Sequence, residues 1–440
     1  MMRYGRMAVG LFATVLGLFA VATWGASGGS GALAERVATA SPGAVITVSP
    51  GVHRVNLRIT RALTLVGKPG AILDGGGQGD VLRISASDVA VRGLTIRNSG
   101  IDLTAMNAGI FIERQARRVT VADNTLDHVL FGVYLDGPAD VKVLDNRIVG
   151  LPELRSPDRG DGIHLWNDTG VMVRGNDISR SRDGIYIYIS PHNEIVGNVI
   201  HDVRYGIHYM YSNHDRLEGN RTYRTVAGYA LMQSDHLQII GNRSAADASY
   251  GILLNYVTYS EFAGNVVQGV TGERSTDGRT LPGGEGKGIF VYNAEFNRFH
   301  GNTVRNCPIG IHVTAGSDHN RIYGNAFLAN RRQVKYVQNA SEEWSWQGQG
   351  NYWSDYLGWD LDRDGHGDTA YRPNDGVDVL LWQYPAARLL MSSPAILALR
   401  YVQRAFPVFT PPSVRDSHPL MHMPAGLIPT EGAQSYAERH

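Results

Sequence analysis

Histidine and methionine side chains at strand spacing could bind a soft metal ion. His208 and Met210 are two residues apart in one alternating apolar run, and Met232 follows Met210 by 22 residues. Imidazole nitrogens and thioether sulfurs together select Cu(I) over hard cations. The three residues are therefore predicted to form a copper site suited to Cu(I). Further candidate ligands for this site are His164, His236 and Met106.

Packing is the alternative explanation for these side chains, because methionine also fills space beneath an insertion or a C-terminal segment. A second group of soft donors lies near the C-terminus, where it could capture a metal ion transiently. Its members are His418, Met421, His422 and Met423.

An acidic loop could bind calcium. Carboxylates occupy positions 1, 3, 5 and 9 of the loop and Gly365 occupies position 6, as in the first part of a calcium-binding loop. Position 12, where such a loop has a bidentate carboxylate, is Tyr371. The alternative is a solvated turn held by Asx-type hydrogen bonds. The candidate calcium ligands are Asp360, Asp362, Asp364 and Asp368.

A repeat of 22 residues would position these side chains. Gly184, Gly206 and Gly228 each begin a short alternating apolar run, and an Asn follows each Gly by 14 residues. Because one such strand cannot bury its apolar face alone, the strands are expected to stack coil upon coil. The Gly is expected at a corner that needs a positive φ. The sequence predicts an all-β protein, a right-handed parallel β-helix, with asparagines hydrogen-bonded from coil to coil.

The outward positions of the runs form two columns on one face of this β-helix. In a Gly-Ile-x-Φ-x run, where Φ is apolar, both x residues point outward. The first column is Phe111, Tyr134, His164, Tyr186, His208, Ala230, Leu253, Phe290 and His312. The second is Glu113, Asp136, Trp166, Tyr188, Met210, Met232, Asn255, Tyr292 and Thr314. An outer face so rich in aromatic, His and Met residues predicts a binding surface, on which Trp166 and Tyr188 are expected to contact a partner.

Composition and pattern divide the chain into five segments. The expected boundaries are 1–34 for a signal peptide, 35–340 for the β-helix with an N-terminal cap, 341–384 for an aromatic C-terminal cap with the acidic loop, 385–410 for an apolar helical segment and 411–440 for a Pro-rich flexible tail. The apolar segment is too short and too charged to span a bilayer, so it either packs on the β-helix or contacts a partner near a membrane. Its candidate contact residues are Leu397, Tyr401 and Phe406.

Export to the periplasm is predicted from the first segment, which has the basic, apolar and small-residue regions of a signal peptide. Cleavage is expected before Glu35, with a site near Ala26 or a retained membrane anchor as alternatives. The single cysteine, Cys307, excludes an intramolecular disulfide framework. A formal net charge of +0 argues against a nucleic-acid partner.

Six runs of the sequence together resemble one protein family. They are Met-Asn-Ala-Gly-Ile at 106–110, Gly-Ile-His-Tyr-Met-Tyr at 206–211, Gly-Tyr-Ala-Leu-Met at 228–232, Leu-Leu-Asn-Tyr at 253–256, Asn-Tyr-Trp-Ser-Asp at 351–355 and Thr-Ala-Tyr-Arg-Pro-Asn-Asp at 369–375. They resemble the NosD family, the periplasmic accessory proteins of nitrous oxide reductase maturation. The resemblance covers nearly the whole chain after residue 34 and includes the C-terminal run 417–421.

The resemblance, rather than the residue spacing, implies a set of partners. NosD-like proteins work with the membrane protein NosY and the ATPase NosF in an ABC-type complex, and they receive copper from the lipoprotein chaperone NosL. They assist assembly of the copper–sulfide centre of nitrous oxide reductase, passing on copper, sulfur or both. The resemblance thus implies a non-enzymatic protein peripheral to the inner membrane.

Two other functions fit a β-helix. A polysaccharide lyase or epimerase would need a general base and acid with cations that neutralise uronate charge. The two outward columns offer Glu113 and Asp136 but no Lys or Arg, although His164 or His208 could act as the base. An adhesin or scaffold is the third possibility.

Overall fold

The computed structural model describes residues 30–273, 284–314, 316–374, 377–378, 393–405, 412–424 and 426–427. Most of them wind into a β-helix whose three parallel sheets run along its length. Each coil contributes one strand to sheet A, then sheet B, then sheet C, so strands from successive coils pair in register. The predicted right-handed parallel β-helix is confirmed.

The strands are short and regularly spaced. Sheet A contains Ala44–Val48, Leu63–Gly67, Val89–Arg92, Thr120–Ala122, Lys142–Leu144, Met172–Arg174, Glu194–Val196, Arg216–Glu218, Gln238–Ile240, Glu261–Ala263, Arg298–His300 and Arg321–Tyr323. Sheet B contains Gly51–Arg54, Ala71–Asp74, Thr95–Arg97, Thr125–Asp127, Arg147–Val149, Asp177–Ser179, Val199–His201, Arg221–Tyr223, Arg243–Ala245, Val266–Gln268, Thr303–Arg305, Ala326–Leu328 and Tyr352–Trp353. Sheet C contains Leu57–Ile59, Leu82–Ile84, Ala108–Ile112, Phe131–Asp136, Ile163–Trp166, Asp183–Tyr188, Tyr205–Met210, Ala227–Asp235, Tyr250–Thr258, Lys287–Tyr292, Ile309–Thr314 and Val334–Val337.

A continuous ladder of buried asparagines joins the coils. Asn198 Nδ2 donates to Asn220 Oδ1 at 2.9 Å, and Asn220 Nδ2 donates to Asn242 Oδ1 at 3.0 Å. Each side-chain amide thereby pairs with the buried polar groups of the neighbouring coils, which have no access to water. The asparagine ladder comprises Asn124, Asn146, Asn176, Asn198, Asn220, Asn242, Asn265, Asn302, Asn325 and Asn351.

The glycine that begins each sheet C run is required for a reason other than the predicted one. Gly184 does not have a positive φ; instead, a Cβ placed there would overlap the side chain of Ile200 and the carbonyl of Gly206. The close approach of neighbouring coils therefore explains this glycine, because any side chain would push the coils apart.

The first coil is covered by helix α1, Ser30–Thr39, which buries Leu33 and Val37. Cleavage before Glu35 would remove Leu33 from this cap, whereas the alternative site near Ala26 leaves the helix whole. Residues 1–29 of the predicted signal peptide lie outside the described residues.

Aromatic side chains cover the last coil. The buried rings of Trp344 and Trp353 lie 6.3 Å apart, and Tyr371 stacks on Trp353 with ring centroids 4.6 Å apart. Phe327 of the last complete coil stacks on the other side of Trp353 at 4.5 Å. The cap therefore adds one aromatic layer to the apolar core and shields the end of the core from solvent.

Residues 412–424 pack against this cap, which differs from the flexible tail predicted for 411–440. Val414–Arg415 pairs in parallel with Glu342–Glu343. The carboxylate of Asp416 accepts hydrogen bonds from the backbone N–H of Asn351 at 2.7 Å and the indole N–H of Trp353 at 2.8 Å. These buried hydrogen bonds hold the segment in place. The prediction of a flexible tail rested on the Pro-rich composition, which gives no indication of such partners. Residues 411, 425 and 428–440 lie outside the described part.

Helix α2, Pro394–Ala405, lies within the apolar helical segment predicted for 385–410. Its neighbours 385–392 and 406–410, including the candidate Phe406, lie outside the described residues. Among the helices of the described ranges, none has both the length and the apolar character needed to cross a membrane.

Candidate metal-binding face

The outer face of sheet C brings Met210 and Met232 together. They are direct partners in the register of neighbouring strands, and both are partly exposed. Neighbouring parallel strands lie about 4.8 Å apart. Tyr209 and Leu231, which precede them, are fully buried on the inner side. Both thioethers therefore lie on one wall, as the 22-residue spacing predicts.

His208 lies in the column beside these methionines and is held by a buried carboxylate of the preceding coil. Its Nδ1 is 2.9 Å from Asp183 Oδ2, and Arg204 donates to the same oxygen at 2.6 Å. Burial acts to raise the pKa of Asp183, but the hydrogen bonds from His208 and Arg204 outweigh it and bring the pKa below its ordinary value. Asp183 is therefore an ionised acceptor.

Because the Asp183 carboxylate accepts, Nδ1 of His208 is the donor, and Nε2 is the nitrogen left to bind another group. The Nε2 atom is buried and has no hydrogen-bond partner among the described residues. Metal-binding histidines commonly have one ring nitrogen oriented by a carboxylate while the other binds the ion. His208 thus has the supporting contact of a metal ligand.

Tyr186 connects the ring column to the methionines. Its hydroxyl donates to the sulfur of Met210 at 3.5 Å, and its ring lies 4.8 Å from that of His208. Burial raises the pKa of Tyr186 to about 12, so the hydroxyl stays protonated at neutral pH. The column of rings ends one coil later at Ala230, the register partner of His208. The thioethers therefore lie beside the last imidazole of this run of rings.

His164 resembles His208 locally but cannot share one ion with it. His164 Nδ1 is 2.8 Å from Asp161 Oδ2, and its Nε2 is buried and unpartnered among the described residues. Tyr186 separates the two imidazoles in the column, so they lie two coils apart, about 10 Å. His164 is not a ligand of the same site, contrary to the sequence-based grouping.

The insertion after Val149 covers the first part of the column. Leu151 is buried against Phe111, Phe131 and Tyr134, and Leu154 packs on the same cluster. Packing therefore explains the apolar residues at this end of the face. Met210 and Met232 do not belong to this cluster.

Two further candidates lie elsewhere. Met106 precedes the strand Ala108–Ile112, which is four strands from Tyr205–Met210 in sheet C, about 19 Å away. His236 lies beyond the end of its sheet C strand, where its ring stacks on those of His214 and Tyr259. The structure therefore removes Met106 from the predicted copper site and places His236 in a different cluster.

The soft donors of the C-terminal segment lie beside the acidic loop at the end of the β-helix. The backbone N–H of Met421 donates to the carbonyl of Gly365 at 3.0 Å, and the His418 ring contacts the ring of His366 at 6.4 Å. The side chains of His418 and His422 are exposed, and those of Met421 and Met423 are partly exposed.

Three of the four predicted calcium ligands converge. Asp360, Asp362 and Asp364 offer oxygen atoms that lie within 4.8 Å of one another. Asp368 instead accepts the backbone N–H of Leu361 at 2.8 Å, closing the loop. The carboxylate of Asp360 also accepts the backbone N–H groups of Arg363 at 2.6 Å and Gly365 at 3.0 Å, as in the alternative of an Asx-type turn.

The predicted partner-contact residues are exposed where they are described. Trp166 is 39% exposed and stacks on Tyr188 at 4.7 Å. On helix α2, Leu397 is 61% and Tyr401 73% exposed. These apolar side chains are available for contact with another molecule.

The two supporting carboxylates were not identified from the sequence. Asp161 and Asp183 both stand immediately before the glycine of their runs. That shared position, three residues before His164 in one case and at the start of the sheet C strand preceding that of His208 in the other, was the available signal. The pairing of Asp183 with His208 is visible only once the coils are in register, since the residues are 25 apart.

Comparison with known sequences identifies close relatives. A family model described as periplasmic copper-binding protein (NosD) matches residues 144–358. A probable ABC transporter binding protein NosD of Pseudomonas aeruginosa is 56% identical over 379 residues, covering 86% of this chain and 88% of the relative. Its counterpart in Stutzerimonas stutzeri is 53% identical over 381 residues and covers 87% of each chain.

Solved structures share the architecture at low sequence identity. The surface adhesin PfbA of Streptococcus pneumoniae gives a TM-score of 0.54 at 13% identity, covering 70% of this chain and 87% of the adhesin. A mannuronan C-5 epimerase module of Azotobacter vinelandii gives 0.53 at 13% identity, covering 70% of this chain and 94% of the module. At this identity the likeness concerns the fold alone.

Proposed function

The chain belongs to the NosD family of periplasmic copper-binding proteins, and on that premise we propose that it carries Cu(I) as cargo for nitrous oxide reductase. His208, Met210 and Met232 bind the ion on the outer face of sheet C. The family role is that of an ABC transporter binding protein, which is an accessory and not a catalytic one.

The main support for this site is the register pairing of Met210 with Met232, together with the unpartnered Nε2 of His208 two residues before Met210 in the same strand. Two thioethers and one neutral imidazole form a soft, uncharged donor set, which favours Cu(I). Asp183 orients the imidazole without being a ligand itself. His418, Met421, His422 and Met423 at the C-terminal end form a second, more exposed group that takes up copper transiently.

The exposed apolar side chains contact the partners. A NosL-like chaperone delivers copper to the face that carries Trp166 and Tyr188. Helix α2, through Leu397 and Tyr401, docks on a NosY-like membrane protein and through it on a NosF-like ATPase. A signal peptide exports the chain, which then stays at the periplasmic side of the inner membrane. The copper is used for the copper–sulfide centre of the reductase.

The acidic loop binds calcium in this proposal. The three convergent carboxylates are the support, since calcium prefers several carboxylate oxygens in one loop. Calcium would stabilise the C-terminal cap and has no part in copper transfer.

An anaerobic Cu(I) competition titration tests the copper site. Met210→Leu with Met232→Leu should weaken Cu(I) binding by at least about tenfold, because leucine keeps the volume and removes the sulfur. His208→Ala should do the same. The C-terminal donors are removed in all variants, by substituting leucine for Met421 and Met423 and asparagine for His418 and His422, so that they do not mask the loss.

A matched control uses Met106→Leu with Met172→Leu, since Met172 lies on sheet A and Met106 lies four strands away. This pair should leave the affinity unchanged. Equal affinity of the tail-substituted parent and its Met210/Met232 variant would overturn the proposed ligands. A chain that leaves a reductase copper-free in reconstitution, although it binds Cu(I), would overturn the delivery role.

A further inference from the structure

A column of six aromatic side chains runs along the corner between sheets C and A. Consecutive ring centroids lie 5.4, 4.8, 5.5, 5.1 and 4.8 Å apart. Every member has a positive φ between 51° and 62°, so each coil turns the corner in the same conformation. This corner column comprises His192, His214, His236, Tyr259, Phe296 and His319.

Two neighbouring members of the corner column are histidines next to a carboxylate. The rings of His214 and His236 are parallel within 2°, with centroids 4.8 Å apart. Asp235 Oδ1 lies 2.6 Å from His236 Nδ1. One donor atom from each of His214, Asp235 and His236 lies within 4.8 Å of the other two.

Hydrogen bonds between coils fix the backbone of all three residues. The N–H of His214 donates to the carbonyl of Asp235, and the N–H of His236 to that of Thr258, both at 3.2 Å. The N–H of Asp235 donates to the side chain of Asn213 at 3.0 Å. The coil spacing, not a flexible loop, therefore sets the separation of the two imidazoles.

The spacing is close to that of two nitrogens on one ion. Nitrogens bound at about 2.0 Å each are at most about 4 Å apart. The donor atoms therefore need to approach by less than about 1 Å. Because an imidazole lone pair lies in the plane of its ring, one of the two parallel rings must also turn out of the stack, which rotation of the half-exposed His236 side chain provides. The required movement is a side-chain rotation that leaves the backbone in place.

The local charge favours a dication. Asp235 adds a carboxylate to the two imidazoles, and the group of donors includes no cationic Lys or Arg side chain. The nearest cations on this surface are already neutralised: Arg216 pairs with Glu218 at 2.6 Å, and Arg298 lies 3.4 Å from Glu261.

We propose that His214, Asp235 and His236 form a second metal site, specific for a divalent ion of the Cu(II) class. Nitrogen and carboxylate donors suit borderline dications, and Cu(II) binds such sites most tightly of the first-row divalent metals. The site lies on the corner, contains no sulfur and is independent of the Cu(I) site on His208, Met210 and Met232. The two oxidation states of copper thus have separate positions on one molecule.

Aerobic titration of the purified chain with Cu(II), followed by electron paramagnetic resonance, tests this site. The expected result is one tight Cu(II) whose spectrum shows coupling to two nitrogens. His214→Asn or His236→Asn should remove one nitrogen and weaken binding by more than the roughly 10–100-fold cost of losing an outer-shell contact. Asparagine is chosen because it tolerates the positive φ at these positions.

His319→Asn is the matched control, because His319 occupies the same column and φ but stacks on Phe296, away from Asp235. It should leave both affinity and spectrum unchanged, as should Met210→Leu with Met232→Leu. The tail variant lacking His418 and His422 serves as a common background. The site is overturned if His214→Asn with His236→Asn binds Cu(II) as tightly as the parent, or if the parent spectrum shows no coupling to two nitrogens.

Discussion

Substitution of Asn220 by alanine tests whether the asparagine ladder holds the coils together. The Nδ2 of Asn220 donates to the carbonyl of Ile195 at 2.7 Å and to Asn242 at 3.0 Å. Its Oδ1 accepts the backbone N–H of Asn198 at 3.0 Å and the Nδ2 of Asn198 at 2.9 Å. Asn220→Ala therefore removes four hydrogen bonds from three coils.

The expected cost follows from this count. A buried hydrogen bond contributes about 0.5–1.5 kcal/mol net, so the four together contribute about 2–6 kcal/mol to the free energy of unfolding. The side chain of Asn220 is 0% exposed, so water does not replace the lost partners without a rearrangement. The loss should be near the upper half of this range, because the N–H of Asn198 is left buried and unpaired.

Urea denaturation and amide hydrogen exchange measure this effect. Asn220→Ala should lower the free energy of unfolding by about 4 kcal/mol and speed exchange at Asn198. Gln238→Ala is the control, since Gln238 is exposed on a nearby sheet A strand. A cost below about 1 kcal/mol, equal to that of the control, would refute the assignment of stability to the ladder.

Three other perturbations have definite expected outcomes. Burial raises the pKa of Asp215 to about 8, so between about pH 5 and 8 the folded chain keeps a proton that the unfolded chain has released, and the free energy of unfolding falls as pH rises. Asp215→Asn should therefore flatten the decrease in Tm over this pH range. An undiminished decrease would contradict this. Asp416→Ala removes the acceptor of the N–H groups of Asn351 and Trp353, so the C-terminal segment should detach from the cap. Tryptophan emission should then shift to longer wavelength, and the free energy of unfolding should fall by about 3 kcal/mol. Unchanged emission would count against this prediction. Calcium should raise the Tm of the wild type and not of Asp362→Ala, as followed by differential scanning calorimetry, and an equal rise in both would exclude the loop.

The repeat made the architecture predictable from the sequence. The 22-residue spacing of Met210 and Met232 requires the two to be register neighbours once the coils stack, and they are. The asparagine at a constant offset likewise indicated hydrogen bonding between coils. In both cases a periodic pattern is enough, because each coil repeats the geometry of the previous one.

Contacts that do not repeat were not predictable. Leu151 and Leu154 belong to an insertion, and no period indicates that they cover the ring of Tyr134. The docking of the C-terminal segment uses contacts that occur once in the chain, namely the pairing of Val414–Arg415 with Glu342–Glu343 and the buried carboxylate of Asp416. The positions of Met106 and His236 were also missed, because the sequence gives residue order but not where each corner turns the side chain.

Other features could not be predicted because they depend on which residues face each other in neighbouring coils. The pairing of Asp183 with His208 joins successive coils, and the corner column depends on one backbone conformation recurring at six positions. A positive φ at a histidine is uncommon and has no clear sequence signature. Sequence spacing could nevertheless place His214 and His236 in neighbouring coils, since they are 22 residues apart.

The hydrogen bond between Asp416 and Asn351 makes folding of the C-terminal end of the β-helix depend on a segment that is synthesised late. The two residues are 65 positions apart, and the chain leaves the ribosome with its amino end first. Until the last segment arrives, the strand Glu342–Glu343 and the backbone N–H of Asn351 lack their partners and are open to pairing with another extended peptide. A chain that ends before residue 416 would therefore form most of its coils but keep these backbone groups unpaired and prone to association.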